Sequence, residues 1–246
     1  MVQTIEITEK LTLQAEKIGK GPRLFFLAGG GATIHYYHPF LKKLGKHFEI
    51  IALHYPGFHN TINYRSELTL EYYTAIVAKF LQTFGKGHHV LAHSMGGGIA
   101  LSVDACYPKL ISKMVLMSPM LQQFSLTESK ILARVALNVT KSTRKSTLLT
   151  KKEASIFLEE NLQNYPEMSK QLKMLRTNFR VPLEHVTPAK KLLLLGGDDV
   201  IFPIKEELAL AKKLQRAEIV VLTGHGHDLM FSAENEVLEL IQEFAV

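Results

Sequence analysis

Tryptophan is absent from the 246 residues, and cysteine occurs once, as Cys106. A lone thiol cannot close an internal disulfide, which leaves core burial to hold the fold and fits a reducing compartment such as the cytoplasm. At this length folding buries roughly 70 to 75% of the unfolded surface, enough for one domain without a structural metal. No apolar run nears the ~20 residues of a membrane-spanning helix. The N-terminus alternates (Ile5, Ile7, Leu11, Leu13) as a strand does, rather than presenting a secretory leader.

Acidic residues are also missing from one long stretch. Positions 129–152 carry seven basic side chains (Lys130, Arg134, Lys141, Arg144, Lys145, Lys151, Lys152) and no carboxylate. Between Leu121 and His185, eleven Lys or Arg face six Glu, so this segment supplies +5 of the net charge of +6. Such a run is expected to be a solvated face, with weak attraction to anionic surfaces or substrates and no nucleic-acid partner.

Short apolar runs alternate with helical patterns, the signature of βαβ units and a mostly parallel sheet. The expected strands are 24–28, 49–54, 89–93, 113–118, 191–195 and 218–222, each rich in Leu, Ile, Val or Phe as doubly buried strands are. Helices are expected near 36–46, 70–85, 95–107, 205–214 and 234–244, with Thr69 as an N-cap. The turn Gly19-Lys20-Gly21-Pro22 reads as the closure of an antiparallel edge hairpin. Residues 120–185 break the alternation and read as a helical insertion. There Leu132, Val135, Ala136 and Val139, and Ile156, Phe157, Leu158 and Leu162, are expected to pack inward.

The strongest local signal is Val90-Leu91-Ala92-His93-Ser94-Met95-Gly96-Gly97-Gly98: an apolar strand, a serine with small residues two positions to either side, then a helix. In that context a serine sits on a sharp turn with its hydroxyl exposed and the helix N–H groups aimed at it. Ala92-His93-Ser94-Met95-Gly96-Gly97 resembles the nucleophile segment of the α/β-hydrolase superfamily, and the resemblance extends over nearly the whole chain. It implies an α/β-hydrolase fold, with about eight strands in a mostly parallel sheet. Residues 1–119 and 186–246 would form the core and 120–185 a helical cap.

A serine hydroxyl needs a base, and the base needs a partner that fixes its tautomer. In this family the order is Ser, acid, His. The segment Gly196-Gly197-Asp198-Asp199 before Pro203 offers two aspartates, and the family spacing selects Asp199, with Asp198 as competitor. Gly224-His225-Gly226-His227 offers two histidines, and the family pattern Gly-x-Gly-His selects His227 over His225. The resemblance places the oxyanion donors at the backbone N–H groups of Met95 and Gly30, the latter within Ala28-Gly29-Gly30-Gly31, where Ala28 stands in place of the family's usual His. His54 likewise stands where the family commonly has Asp. The glycine loop matches neither dinucleotide nor P-loop spacing.

Phe124, Leu132, Val135, Phe157 and Phe179 are candidate apolar lining for a substrate. His35 and His38 share one helix face and His88 and His89 are adjacent, but neither pair has a third ligand in a metal-binding pattern, so no metal or cofactor is expected. These features lead to the expectation of a serine hydrolase acting on a small-molecule carboxylic ester through an acyl-enzyme. Thioesterase, acyltransferase or carbon–carbon hydrolase chemistry would use the same triad, and a non-catalytic receptor is the alternative of another class.

Overall fold

The computed structural model describes residues 2–8, 11–58, 61, 63 and 65–245. The elements run β1 (Val2–Thr8), β2 (Leu11–Ile18), β3 (Arg23–Leu27), α1 (Ile34–Leu44), β4 (Glu49–His54), α2 (Leu70–Gln82), β5 (His88–His93), α3 (Met95–Cys106) and β6 (Ile111–Met117). After β6 come α4 (Glu128–Lys145), α5 (Lys151–Gln163) and α6 (Tyr165–Thr177). The chain ends with β7 (Lys190–Gly196), α7 (Ile204–Ala211), β8 (Ala217–Leu222), α8 (Leu229–Ser232) and α9 (Glu234–Ala245).

The strands form one eight-stranded sheet in the order β1-β2-β4-β3-β5-β6-β7-β8, parallel from β4 onward, with β1 and β2 antiparallel at one edge. Strands 24–27, 50–53 and 90–92 are wholly buried, which explains their unbroken apolar runs. Helices cover both faces, and α2 starts where Thr69 Oγ1 accepts from Tyr72 N at 3.1 Å. The chain leaves β3 toward β4 on one side and returns to β5 on the other. That reversal opens a crevice at the carboxyl ends of the strands, where open α/β sheets place their sites.

Two expectations about local structure are corrected. The turn at 19–22 closes no hairpin. The edge hairpin is β1 with β2, while β2 pairs with β4, so the turn carries the chain past β4 to β3. Gly19 adopts φ +78° there, and a Cβ would lie 2.1 Å from Gly45 O, so the turn is shaped by its approach to the end of α1. In α5, Phe157 and Asn161 face inward one helical turn apart, whereas Leu158 and Leu162 are 51% and 75% exposed and Ile156 37%. The helix meets the core along a single edge, so neighbours one position on point to solvent.

The basic segment lies along α4 and the start of α5. Arg134 Nη1 donates to Ile201 O at 3.3 Å and Lys145 Nζ to Gly224 O, tying α4 to two core loops. Arg144 and Lys145 also sit in the last helical turn, where the dipole favours cations. Among the described residues no helix is long and apolar enough to cross a membrane.

Candidate active site

Ser94 sits between β5 and α3 with φ 52° and ψ −118°, a conformation a non-glycine residue holds only when its surroundings dictate it. Ser94 N donates to Met117 O on β6, and Ser94 O accepts from Gly97 N and Met120 N, which pins the bend. The bend leaves no room for a side chain two residues on, since a Cβ at Gly96 would lie 2.5 Å from Leu27 O.

Asp199 and His227 meet beside this turn although 28 positions separate them. Asp199 Oδ2 lies 2.7 Å from His227 Nδ1, and Asp199 Oδ1 accepts from Ile201 N at 2.7 Å and Phe202 N at 3.0 Å. Both carboxylate oxygens are thus engaged and the side chain cannot rotate freely. Burial pushes the His227 imidazole down, but the charge of Asp199 and the hydrogen bond to it, with further help from Asp228 and Glu207, carry it above the ordinary value. The competitors lie elsewhere: Asp198 is exposed, and His225 faces Glu236 at 3.9 Å.

The glycine loop after β3 is braced around one free amide. Gly29 N donates to Tyr37 Oη at 3.0 Å and Gly31 N to Gln171 Oε1 at 2.8 Å. Among the described residues neither Gly30 N nor Met95 N is bonded to an acceptor. Tyr37 Oη in turn lies 2.8 Å from His93 Nδ1, and His93 Nε2 lies 3.3 Å from His227 O. Burial pushes the His93 imidazole well down and keeps it neutral. A neutral ring accepting from Tyr37 and donating to His227 O makes a continuous chain from the glycine loop to the loop that carries His227.

Gly30, His93, Ser94 and His227 line one cavity. Of the expected apolar lining, Phe124, Val135 and Phe157 stand on its wall. Leu132 and Phe179 do not. Leu132 packs against the core outside the cavity, and Phe179 is fully buried behind α3, its ring against the backbone at Gly98. Helical spacing identifies an apolar face but not which residues of that face reach the cavity and which fill the space behind it.

Sequence reasoning missed Asp228 and Asn138. Asp228 is buried on the cavity wall, and its Oδ2 accepts from Tyr36 Oη at 2.7 Å, Asn138 Nδ2 at 2.6 Å and Ser142 Oγ at 3.3 Å. Burial, the largest effect, leaves this carboxyl above its usual range despite those donors. Asn138 Oδ1 also accepts from His227 N at 3.3 Å. Asn138, Ser142 and Gln171 all come from the segment between β6 and β7, and polar residues at inward positions of its helices were the only available signal.

A family model described as the alpha/beta hydrolase fold matches residues 22–139. A Mycoplasma pneumoniae protein with the provisional name esterase/lipase 2 is 26% identical over 239 residues, covering 92% of this chain and 89% of its own length. Among solved structures, a provisionally named lipase from Acinetobacter baumannii superposes with a TM-score of 0.83 at 18% identity, over 100% of this chain and 90% of the other. A meta-cleavage product hydrolase from Pseudomonas fluorescens superposes with a TM-score of 0.81 at 19% identity, over 99% and 97%. With its strand order and strained serine turn, the chain has the α/β-hydrolase fold, and its residues 22–139 match the model of that family.

Proposed function

We propose that the protein is a serine hydrolase that cleaves a carboxylic ester, or a related acyl bond, through an acyl-enzyme on Ser94. The observation that carries this reading is the 2.7 Å contact of Asp199 Oδ2 with Nδ1 of His227, a residue that lines the same cavity as Ser94. With Nδ1 held by the carboxylate, Nε2 is the basic nitrogen. It takes the Ser94 proton as Oγ attacks the carbonyl carbon. The oxyanion is met by the N–H groups of Gly30 and Met95, preorganised donors of the kind worth about 10²- to 10³-fold each in rate. His227 then returns the proton to the departing alkoxide, and a water attacks the acyl-enzyme by the same route.

Residues 120–185 act in this reading as a cap over the core formed by 1–119 and 186–246. Its apolar contribution, with Phe124, Ile131, Val135, Val139 and Phe157 on the cavity wall, suits an uncharged acyl chain. The esterase/lipase name carried by the Mycoplasma relative agrees with a small-molecule ester as substrate.

A fluorophosphonate probe tests the mechanism. Labelling at Ser94 that is lost in Ser94→Ala and His227→Ala is the expected result, and absence of labelling in the unaltered, folded protein would identify a binding scaffold without turnover. Hydrolysis of an ester series of increasing acyl length, with a thioester and a vinylogous diketone alongside, sets the substrate class.

A further inference from the structure

The sequence offers no third ligand for His35 and His38, but the fold supplies one. Both histidines stand on one face of α1, three residues apart. The antiparallel register pairs Gln14 of β2 with His54 of β4, so Glu16, two residues along, lies on the same face of the sheet as His54. Glu16 Oε2 lies 2.7 Å from His38 Nε2 and Glu16 Oε1 4.0 Å from His35 Nε2. Among the described residues, Glu16, His35 and His38 form a group whose ligand atoms all lie within 4.8 Å of one another.

We propose that Glu16, His35 and His38 bind a divalent transition ion of the zinc type, at a site separate from the Ser94 cavity and independent of its chemistry. A tetrahedral zinc with bonds near 2.0 to 2.2 Å needs ligand atoms about 3.3 Å apart. The ligand atoms already lie within 4.8 Å of one another, with His38 Nε2 at 2.7 Å from Glu16 Oε2 and His35 Nε2 at 4.0 Å from the other oxygen, Oε1, so side-chain rotations would bring them to that spacing.

The supporting groups around the three ligands argue for the site more strongly than the ligands themselves. Metal-bound imidazoles nearly always pass their second ring nitrogen to a carboxylate or carbonyl, and ligating carboxylates are themselves hydrogen-bonded. Here His35 Nδ1 lies 2.6 Å from Glu160 Oε1, and Glu16 Oε1 lies 2.9 Å from His54 Nε2. Glu160 is also held by Thr33 Oγ1. The His35 and His38 side chains are 37% and 26% exposed while Glu16 is 9% exposed, so the ion has an entrance and a buried anionic floor. Three protein ligands leave one position for water, the count of an open rather than a closed zinc site. Because Glu160 belongs to α5 and His35 to α1, occupancy would fasten the segment after β6 to the start of α1, just beyond the glycine loop.

Isothermal titration of the full chain with Zn²⁺, and the visible spectrum on Co²⁺ addition, test the site. The expected result is uptake of one ion with the intense absorption of tetrahedral Co²⁺. Affinity should fall at least about tenfold in His35→Ala and His38→Ala, and about 10- to 100-fold in Glu160→Gln, which removes only a supporting group. His185→Ala, a change to an exposed imidazole, should bind as the unaltered protein does. The two α1 histidines are partly exposed, so their removal leaves the fold intact, as circular dichroism would verify. The proposal is overturned if the unaltered protein takes up no ion in one-to-one ratio, or if uptake persists unchanged in His38→Ala.

Discussion

Asn138 on α4 joins to Asp228 through Nδ2 at 2.6 Å while its Oδ1 accepts from the N–H of His227 at 3.3 Å, so one amide spans two consecutive residues of the loop that carries the proposed base. The segment between β6 and β7 therefore positions His227 as well as walling the cavity.

Asn138→Ala removes both bonds at once and leaves Asp228 with Tyr36 and Ser142 as donors. Ester hydrolysis is expected to lose about tenfold in kcat with KM changing less, and stability to fall by about 1 to 3 kcal/mol as buried polar groups lose partners. Asn138→Asp should cost more, because it sets a second carboxylate against Asp228. Steady-state kinetics beside urea denaturation check both, and kinetics identical to the unaltered protein would sink the positioning role.

The base must be neutral to accept the Ser94 proton, so activity is lost as pH falls through the His227 pKa. Asp199 holds that pKa above the ordinary imidazole value against the downward push of burial. In Asp199→Asn the main upward influences are gone, and the push of burial is opposed only by Asp228 and Glu207. The acid limb of the kcat/KM profile should move to lower pH while the rate falls about 10⁴-fold, as loss of the acid does in triads of this type. A limb that stays in place would assign the titration to another group.

Glu207 on α7 is buried with no hydrogen-bond partner on Oε2 among the described residues, and burial, then the charge of Asp199, pushes its carboxyl up to about 8 from 4.5. Between those two pH values the folded chain keeps a proton that the unfolded chain has released. Its contribution to stability is therefore present below pH 4.5 and lost as pH rises through about 8. Glu207→Gln has no such loss. It should exceed the unaltered protein in stability at pH 8 by about 1 to 4 kcal/mol, with a smaller difference at pH 5. Guanidinium melts at both pH values measure this, and equal slopes with pH in the two proteins would contradict it.

Phe157 packs on Tyr36 with ring centroids 4.5 Å apart and both on the cavity wall. Phe157→Ala should favour longer acyl chains, raising kcat/KM for the longest ester that is hydrolysed about tenfold relative to the shortest. An unchanged chain-length profile would place the acyl group elsewhere.

Gly96→Ala would set a methyl group 2.5 Å from Leu27 O and 2.6 Å from Ala28 O, both of them backbone. Neither strand nor helix can retreat without opening the core, so the variant should lose about 3 kcal/mol or more, read as a lowered Tm or poor soluble yield.

The boundaries of most elements were readable because each depends on its own residues. Strand β4 matches its expected span of 49–54, and Thr69 caps α2 as its position suggests. The edge hairpin was misplaced because β2 and β3 are consecutive in the chain, and nothing near Gly19 records that β4 enters between them. In α5, the alternation of Phe157 with Leu158 and of Asn161 with Leu162 does not say which edge meets the core.

By itself the sequence determined where a serine would be forced onto a tight turn and which loops would carry its partners. Steric exclusion at Gly96 and the strand-to-helix pattern around Ser94 are local, and a local cause leaves a local mark. The family spacing selected Asp199 over Asp198, but only the tertiary structure brings its carboxylate against His227, sets Asn138 to brace that loop, and lets Glu16 reach His35 and His38. Each of those meetings depends on strand order and helix rotation, which arise from packing the whole core at once, so no window of residues contains them.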